Sequence, residues 1–318
     1  MTPYIGNGPY CYANATAMLL AASVEAAKDG SAGGETVAPG VIECLTGVGI
    51  GARWLGGSRE IYFSIVPPDI GVARAFKLLG IDVVEEEGAD RGDGGPPFAR
   101  LRARLAEGPV MIGPLDMGHL PYFPNHRALT GADHYVLVTA MDDAGVRLHD
   151  PYGYPNLHLA FADLGPAWEA RAVAYRRAPY RSWTRPLQRA RPALDTLRRG
   201  AMRAYRETVT AMDPPSGAVR AGPAAFAAAA EYLRGADGAA LLGLLTGFGL
   251  PLGARRAHDM ALFLAPADAA LAAIKRRQSE AFIDGYRVAV ADDRAAVAES
   301  ILAIGALDSA FAERLRAP

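Results

Sequence analysis

The pattern of hydrophobic and polar positions changes character near residue 185. Before that point, short runs rich in β-branched and aromatic residues alternate with Gly- and Asp-bearing breaks. "GIDVVEE" (80–86), "PVMIGPL" (109–115), "HYVLVTAM" (134–141), "VRLHD" (146–150) and "RAVAYRR" (171–177) predict strands. The "DDAG" stretch at 142–145 predicts a hairpin over 134–150. Helices are expected at 11–26, near 69–79 and at 97–106, and the polar, Gly-rich 85–97 reads as a surface loop. After residue 185 the spacing turns helical. Runs at 192–212, 223–234, 238–247, 254–265, 267–289 and 292–304 carry apolar residues at helical intervals, "DPPSG" (213–217) breaks the first from the second, and no strand signal is seen. The reading is α+β: a mixed domain over 1–183, then an all-helical domain over 184–318.

Composition sharpens this picture in three ways. A chain of 318 residues, 51% hydrophobic, fits two domains with substantial cores. A formal net charge of −1 argues against nucleic-acid and polybasic membrane partners. Two cysteines, Cys11 and Cys44, are too few for a disulfide framework. The apolar 13–27 run lacks the basic segment that precedes a secretory signal core, since Lys28 follows it. No stretch approaches about 18 uninterrupted apolar residues, and a cytoplasmic location is expected.

Candidate chemistry begins at Cys11, where the Gly- and Pro-bearing "GNGPY" turn meets an Ala-rich helical run. A thiol at a helix N-terminus feels unpaired N–H groups and the positive end of the dipole, which can lower its pKa from about 8.5 into roughly 3.5–7.5. Cysteine is also a common small core residue. Of six histidines, His134 stands at the start of a predicted strand, and the paired strand returns to end in "HDP". A hairpin there brings Asp150 beside His134, where a carboxylate accepts the imidazole N–H and fixes its tautomer. Taken singly, each residue has an ordinary structural reading. In the order Cys, His, Asp, on helix start, strand start and strand end, they point to nucleophilic catalysis.

These residues resemble papain-fold cysteine enzymes, and in detail the butirosin biosynthesis protein H N-terminal family. The similarity rests on the Cys-led helix, "CLTGVGIGARWL" (44–55), "GPVMIGPLDMGHLPY" (108–122) and "DHYVLVTAMDDAGVRLHDPYG" (133–153), with "GARRAHDMALFL" (253–264) similar to the helical domain that commonly follows. The resemblance implies a papain-like domain and an acyltransferase. Cys11 would take an acyl group from an acyl carrier protein or another thioester donor, His134 would activate the thiol and then a small-molecule amine acceptor, and Asp150 would orient His134. It implies no cofactor, phosphopantetheine entering only as part of a carrier-bound substrate.

The chain departs from the broader papain pattern where a Gln about six residues before the cysteine is common, because Ile5 stands there. Asn7 is the oxyanion candidate instead, or a turn residue beside Gly8. Tyr4, Tyr10 and Tyr12 wall a cleft or simply pack; Asp116 and Tyr122 line the acyl or acceptor pocket or serve as cap or turn. Cys44 reads as structural, and His119 and His126 lack the spacing and third ligand of a metal site. The Gly-rich 47–51 stretch lacks a Walker lysine. Arg198, Arg199, Arg203, Arg255 and Arg256 offer a basic face for an acidic carrier or a solvated helix face. Hydrolysis by the same triad (a cysteine peptidase or amidase), ring closure on the acyl chain, and an inert binding scaffold stay open beside acyl transfer.

Overall fold

The computed structural model describes residues 2–6, 8–26, 36–88, 96–211 and 219–317. In chain order the first elements are α1 (Cys11–Ala26), α2 (Pro39–Thr46), β1 (Arg53–Leu55), β2 (Glu60–Tyr62), α3 (Pro68–Leu79), β3 (Ile81–Glu86), α4 (Pro97–Leu105) and β4 (Val110–Asp116). Then follow β5 (Asp133–Met141), β6 (Gly145–Asp150), β7 (Tyr154–Ala160), α5 (Phe161–Glu169) and β8 (Ser182–Gln188). The remainder is α6 (Leu194–Thr210), β9 (Val219–Ala221), α7 (Pro223–Arg234), α8 (Ala239–Leu244), α9 (Leu250–Leu264), α10 (Ala269–Val290) and α11 (Arg294–Arg316). The class is α+β.

Two compact units emerge, and neither is a continuous piece of chain. The first comprises residues Met1–Ile42 and Leu79–Arg191, the second Glu43–Leu78 and Pro192–Pro318. This differs from the single cut expected at 183/184. The reason is a long-range pairing: β1 is antiparallel to β2 on one side and to β9, some 165 residues later, on the other. That three-stranded sheet also corrects the expectation of an all-helical second half.

In the first unit an antiparallel sheet runs β3-β8-β4-β5-β6-β7. Val136 and Val138 of β5 join Val110, Ile112, Val146 and Leu148 in a core closed by Leu101 of α4 and Leu164 and Trp168 of α5. On the opposite face lies α1, where Thr16 donates to the Met111 sulfur at 3.5 Å and Tyr12 meets Tyr135 edge-on at 6.0 Å. Every residue of β4 is buried, which is why its sequence reads as a continuous apolar run rather than an alternating one.

The strand expected at 171–177 does not form. Ala170 adopts a left-handed conformation, and Val173 N–H to Ala170 O and Arg176 N–H to Val173 O close consecutive turns there. The strand of that region is β8, eleven residues on, whose Pro186 obscured it. Its neighbour Arg181, fully buried, pairs with Glu85 and Glu87 and lies 5.0 Å over Trp183, while Trp168 donates to its carbonyl at 2.8 Å.

The second unit packs Phe226 and Ala229 of α7, Leu250 and Ala254 of α9, Phe282 of α10 and Ile301 and Ile304 of α11 around Trp54, Ile61 and Phe63. Two aspartates set the long helices. Asp268 accepts from the N–H groups of Ala270 and Leu271, and Asp293 from that of Ala296; each such cap is worth about 1 kcal/mol. Helix α11 is long and apolar enough to cross a membrane, yet Val297, Ile301 and Ile304 are buried within this unit's core, and Phe311 and Leu315 are buried too. Lys275, 1% exposed, donates to Gln278 Oε1 at 2.8 Å and sits 4.1 Å over the Phe311 ring.

Burial lowers the Lys275 ammonium to about 8, against the opposing pull of Asp308. Between that value and the ordinary lysine value near 10.5 the unfolded chain binds the extra proton, so stability rises with pH through this window, by at most about 3 kcal/mol. Thermal unfolding of the wild type followed from pH 8 to 10 should therefore gain on a Lys275→Met variant. Parallel curves for the two proteins would refute this.

Candidate active site

Two left-handed residues prepare the entry to α1. Gly8 has φ +88° and Tyr10 φ +96°, the second costly for a residue with a side chain. The chain thereby turns so that the Tyr10 carbonyl accepts the Asn14 N–H at 2.8 Å and Cys11 becomes the first helical residue. Cys11 is half-buried. Its sulfur lies near the His134 ring and the Tyr135 backbone N–H, and both favour the thiolate.

His134 opens β5 and is 3% exposed. The hairpin register sets Leu137 opposite His149, so Asp150 lies diagonally across from His134, within reach of a long side chain. His134 Nε2 and Asp150 Oδ2 are 2.9 Å apart, which leaves Nδ1 for the thiol. Phe123 meets the imidazole edge-on at 5.4 Å. Asp150 is fully buried and well supplied with donors: Tyr122 Oη to Oδ2 at 2.6 Å and Tyr152 N–H to Oδ1 at 2.7 Å. The first unit thus brings together the three residues read from sequence.

The electrostatics follow from burial and from this pairing. Burial raises the Cys11 thiol above its ordinary value, Asp133 adds to the effect, and the His134 and Tyr135 hydrogen bonds only partly offset it. The helix start therefore does not yield the depressed thiol expected from its position. Burial also opposes a charged His134, but the Asp150 carboxylate outweighs it, with help from Cys11, and lifts the imidazole to about 10. For Asp150 burial pushes the carboxyl up, and His134, Tyr122 and the Tyr152 N–H more than reverse this.

The other candidates find different places. Asp116 is buried and accepts from the N–H groups of Gly118 and Gly131, both at 2.9 Å, so it ties a loop rather than lining a pocket. Tyr122 spends its hydroxyl on Asp150. Tyr10 and Tyr12 are 2% and 4% exposed, core side chains rather than cleft walls. Asn7 lies outside the described residues. Arg256 is buried against Glu43 at 2.7 Å and Arg198 donates to the Phe263 carbonyl, which removes both from a docking face. Among the described residues no His, Cys, Asp and Glu side chains gather in threes as a metal site would need.

Two further residues hold the site, and of these sequence reasoning missed His149. His149 donates from Nε2 to the Thr2 carbonyl at 3.2 Å and accepts the Asn156 N–H at Nδ1, pinning the N-terminal segment. Tyr4 packs edge-on against His149 and donates to the Asp150 carbonyl at 3.0 Å. The available signal was His149 itself, one position before Asp150 in "HDP".

Residues 215–316 match the family model described as the YobF C-terminal domain. Across 311 residues the chain is 32% identical to the uncharacterized protein YobF of Bacillus subtilis (strain 168), covering 98% of this chain and 97% of that protein.

With its pKa above the ordinary value, Cys11 is mostly thiol at pH 7. Its alkylation rate should accordingly climb steadily from pH 7 through pH 9. A plateau already reached below pH 7 would show instead a thiolate held by the helix start and His134.

Proposed function

This chain belongs to the YobF family, and we propose that it is a cysteine-dependent acyltransferase, with a papain-like catalytic unit of the kind found in the butirosin biosynthesis protein H N-terminal family. The observation that carries this reading is the His134–Asp150 pair, 2.9 Å apart, with Cys11 close enough for the imidazole to act on its thiol, set on strand start, strand end and helix start. The motifs "GPVMIGPLD" and "DHYVLVTAM…LHDP" around these residues support the family likeness.

In the first half-reaction the Cys11 proton passes to His134 as the sulfur attacks the carbonyl of a thioester, the carbon–sulfur bond to the donor breaks, and His134 returns that proton to the departing thiolate. In the second an amine attacks the acyl–Cys11 carbonyl, His134 takes the amine proton, and the Cys11 sulfur leaves, to be reprotonated. The sum converts a thioester and an amine into an amide and a free thiol. Asp150 supports both halves by stabilising the imidazolium that forms each time His134 takes a proton. A sulfur that is mostly protonated at neutral pH favours an activated donor such as a carrier-bound thioester over a stable amide. Exchange of one thioester for another is nearly isoenergetic, and the following aminolysis is downhill.

Intact-protein mass spectrometry after brief exposure to a panel of acyl thioesters tests this. A mass gain is expected in the wild type, absent in Cys11→Ala and slowed at least about 100-fold in His134→Ala. Loss of the adduct on adding amines supports transfer, whereas equal loss in plain buffer makes the site a hydrolase. No adduct with any donor leaves a binding scaffold.

A further inference from the structure

We propose that Tyr122 is a positioning residue of this site, a second donor that fixes the Asp150 oxygen used by His134. The inference rests on the reading of Cys11, His134 and Asp150 as a working unit.

Tyr122 Oη stands 2.6 Å from Asp150 Oδ2, and His134 Nε2 stands 2.9 Å from that same atom. A carboxylate oxygen has two lone-pair directions, so these two donors fill it. The other oxygen is held by the Tyr152 N–H at 2.7 Å. Three donors thus fix the carboxylate plane, and the phenol is the one that shares an oxygen with the imidazole. Its ring is itself fixed, 4.8 Å from Phe123 and edge-on to Tyr154 at 5.3 Å, while Phe123 in turn meets His134. Position along the chain gives no hint of this, since 28 residues separate Tyr122 from Asp150.

Donation to the ionised form keeps a buried carboxylate charged. Burial and the neighbouring Asp150 hold the Tyr122 phenol well above its usual value, so it stays a donor across the working range. The groups facing Asp150 are His134, Tyr122 and Tyr4, with Cys11 and Asp133 acting at one remove through the imidazole and Cys11, and Tyr154 beside Tyr122. Without the phenol hydroxyl, Asp150 accepts a proton at higher pH and is freer to turn away from His134.

The test follows the His134 ring by NMR through a pH titration of the full-length protein, labelled at histidine, with His134→Gln identifying its signals. In Tyr122→Phe the inflection that reports Asp150 protonation should move up by about one pH unit, with the fold intact. Tyr122→Leu, which also loses the ring, serves as the packing control. An inflection in Tyr122→Phe that coincides with the wild type overturns the proposal, including the case where only Tyr122→Leu is impaired and the ring merely packs. Parallel acylation assays keep the two readings apart. A shifted inflection in a protein whose Cys11 never acylates supports Tyr122 and refutes acyl transfer; an unshifted one in a protein that does acylate refutes Tyr122 alone.

Discussion

A strand covered on both faces can offer chemistry only at its ends, and that constraint governs the first unit. β5 is buried by α1 on one side and by α4 and α5 on the other. Polar side chains in its middle would pay heavily for desolvation, and its sequence there is Tyr-Val-Leu-Val. His134 escapes this by standing at the strand's first turn of backbone, where the start of α1 and the end of β6 converge. The helix that closes the core is thereby also the helix that carries the sulfur. Core and site are set by one packing decision.

Buried polar groups in such a place have to be mutually satisfied. Asp150 answers this with donors from three directions, and the positive form of His134 is held by the carboxylate that those donors keep ionised. The same enclosure has the opposite effect on Cys11, whose charged form has fewer partners. One environment thus drives imidazole and thiol upward together. The outcome is an imidazole that holds its proton tightly beside a reluctant nucleophile.

Much of this was legible in the chain because it is local. The hairpin at 134–150 follows from alternation and a turn, and the helices at 223–234 and 267–289 follow from spacing. Cys11, His134 and Asp150 could be read because each marks the end of a regular element. What escaped depends on partners distant in sequence. Tyr122 and Asp116 present the same residue types whether they face a cleft or an internal acceptor, and only the tertiary fold decides between Asp150 and an open pocket. Likewise β8 has a proline and an arginine where a strand pattern would be apolar, and it forms because β3 and β4 flank it. The pairing of β1 with β9 left no local trace in a three-residue strand.

That last pairing bears on how the protein comes into being. Trp54, Ile61 and Phe63 are made early in synthesis, but the side chains that bury them, among them Phe226, Phe282 and Ile301, come more than 160 residues later. Until the ribosome has delivered α7, α10 and α11, the nascent chain holds an apolar hairpin with no core to enter. The second unit is in this sense begun before most of the first unit is made and finished after all of it, with Leu79–Arg191 spooled out in between.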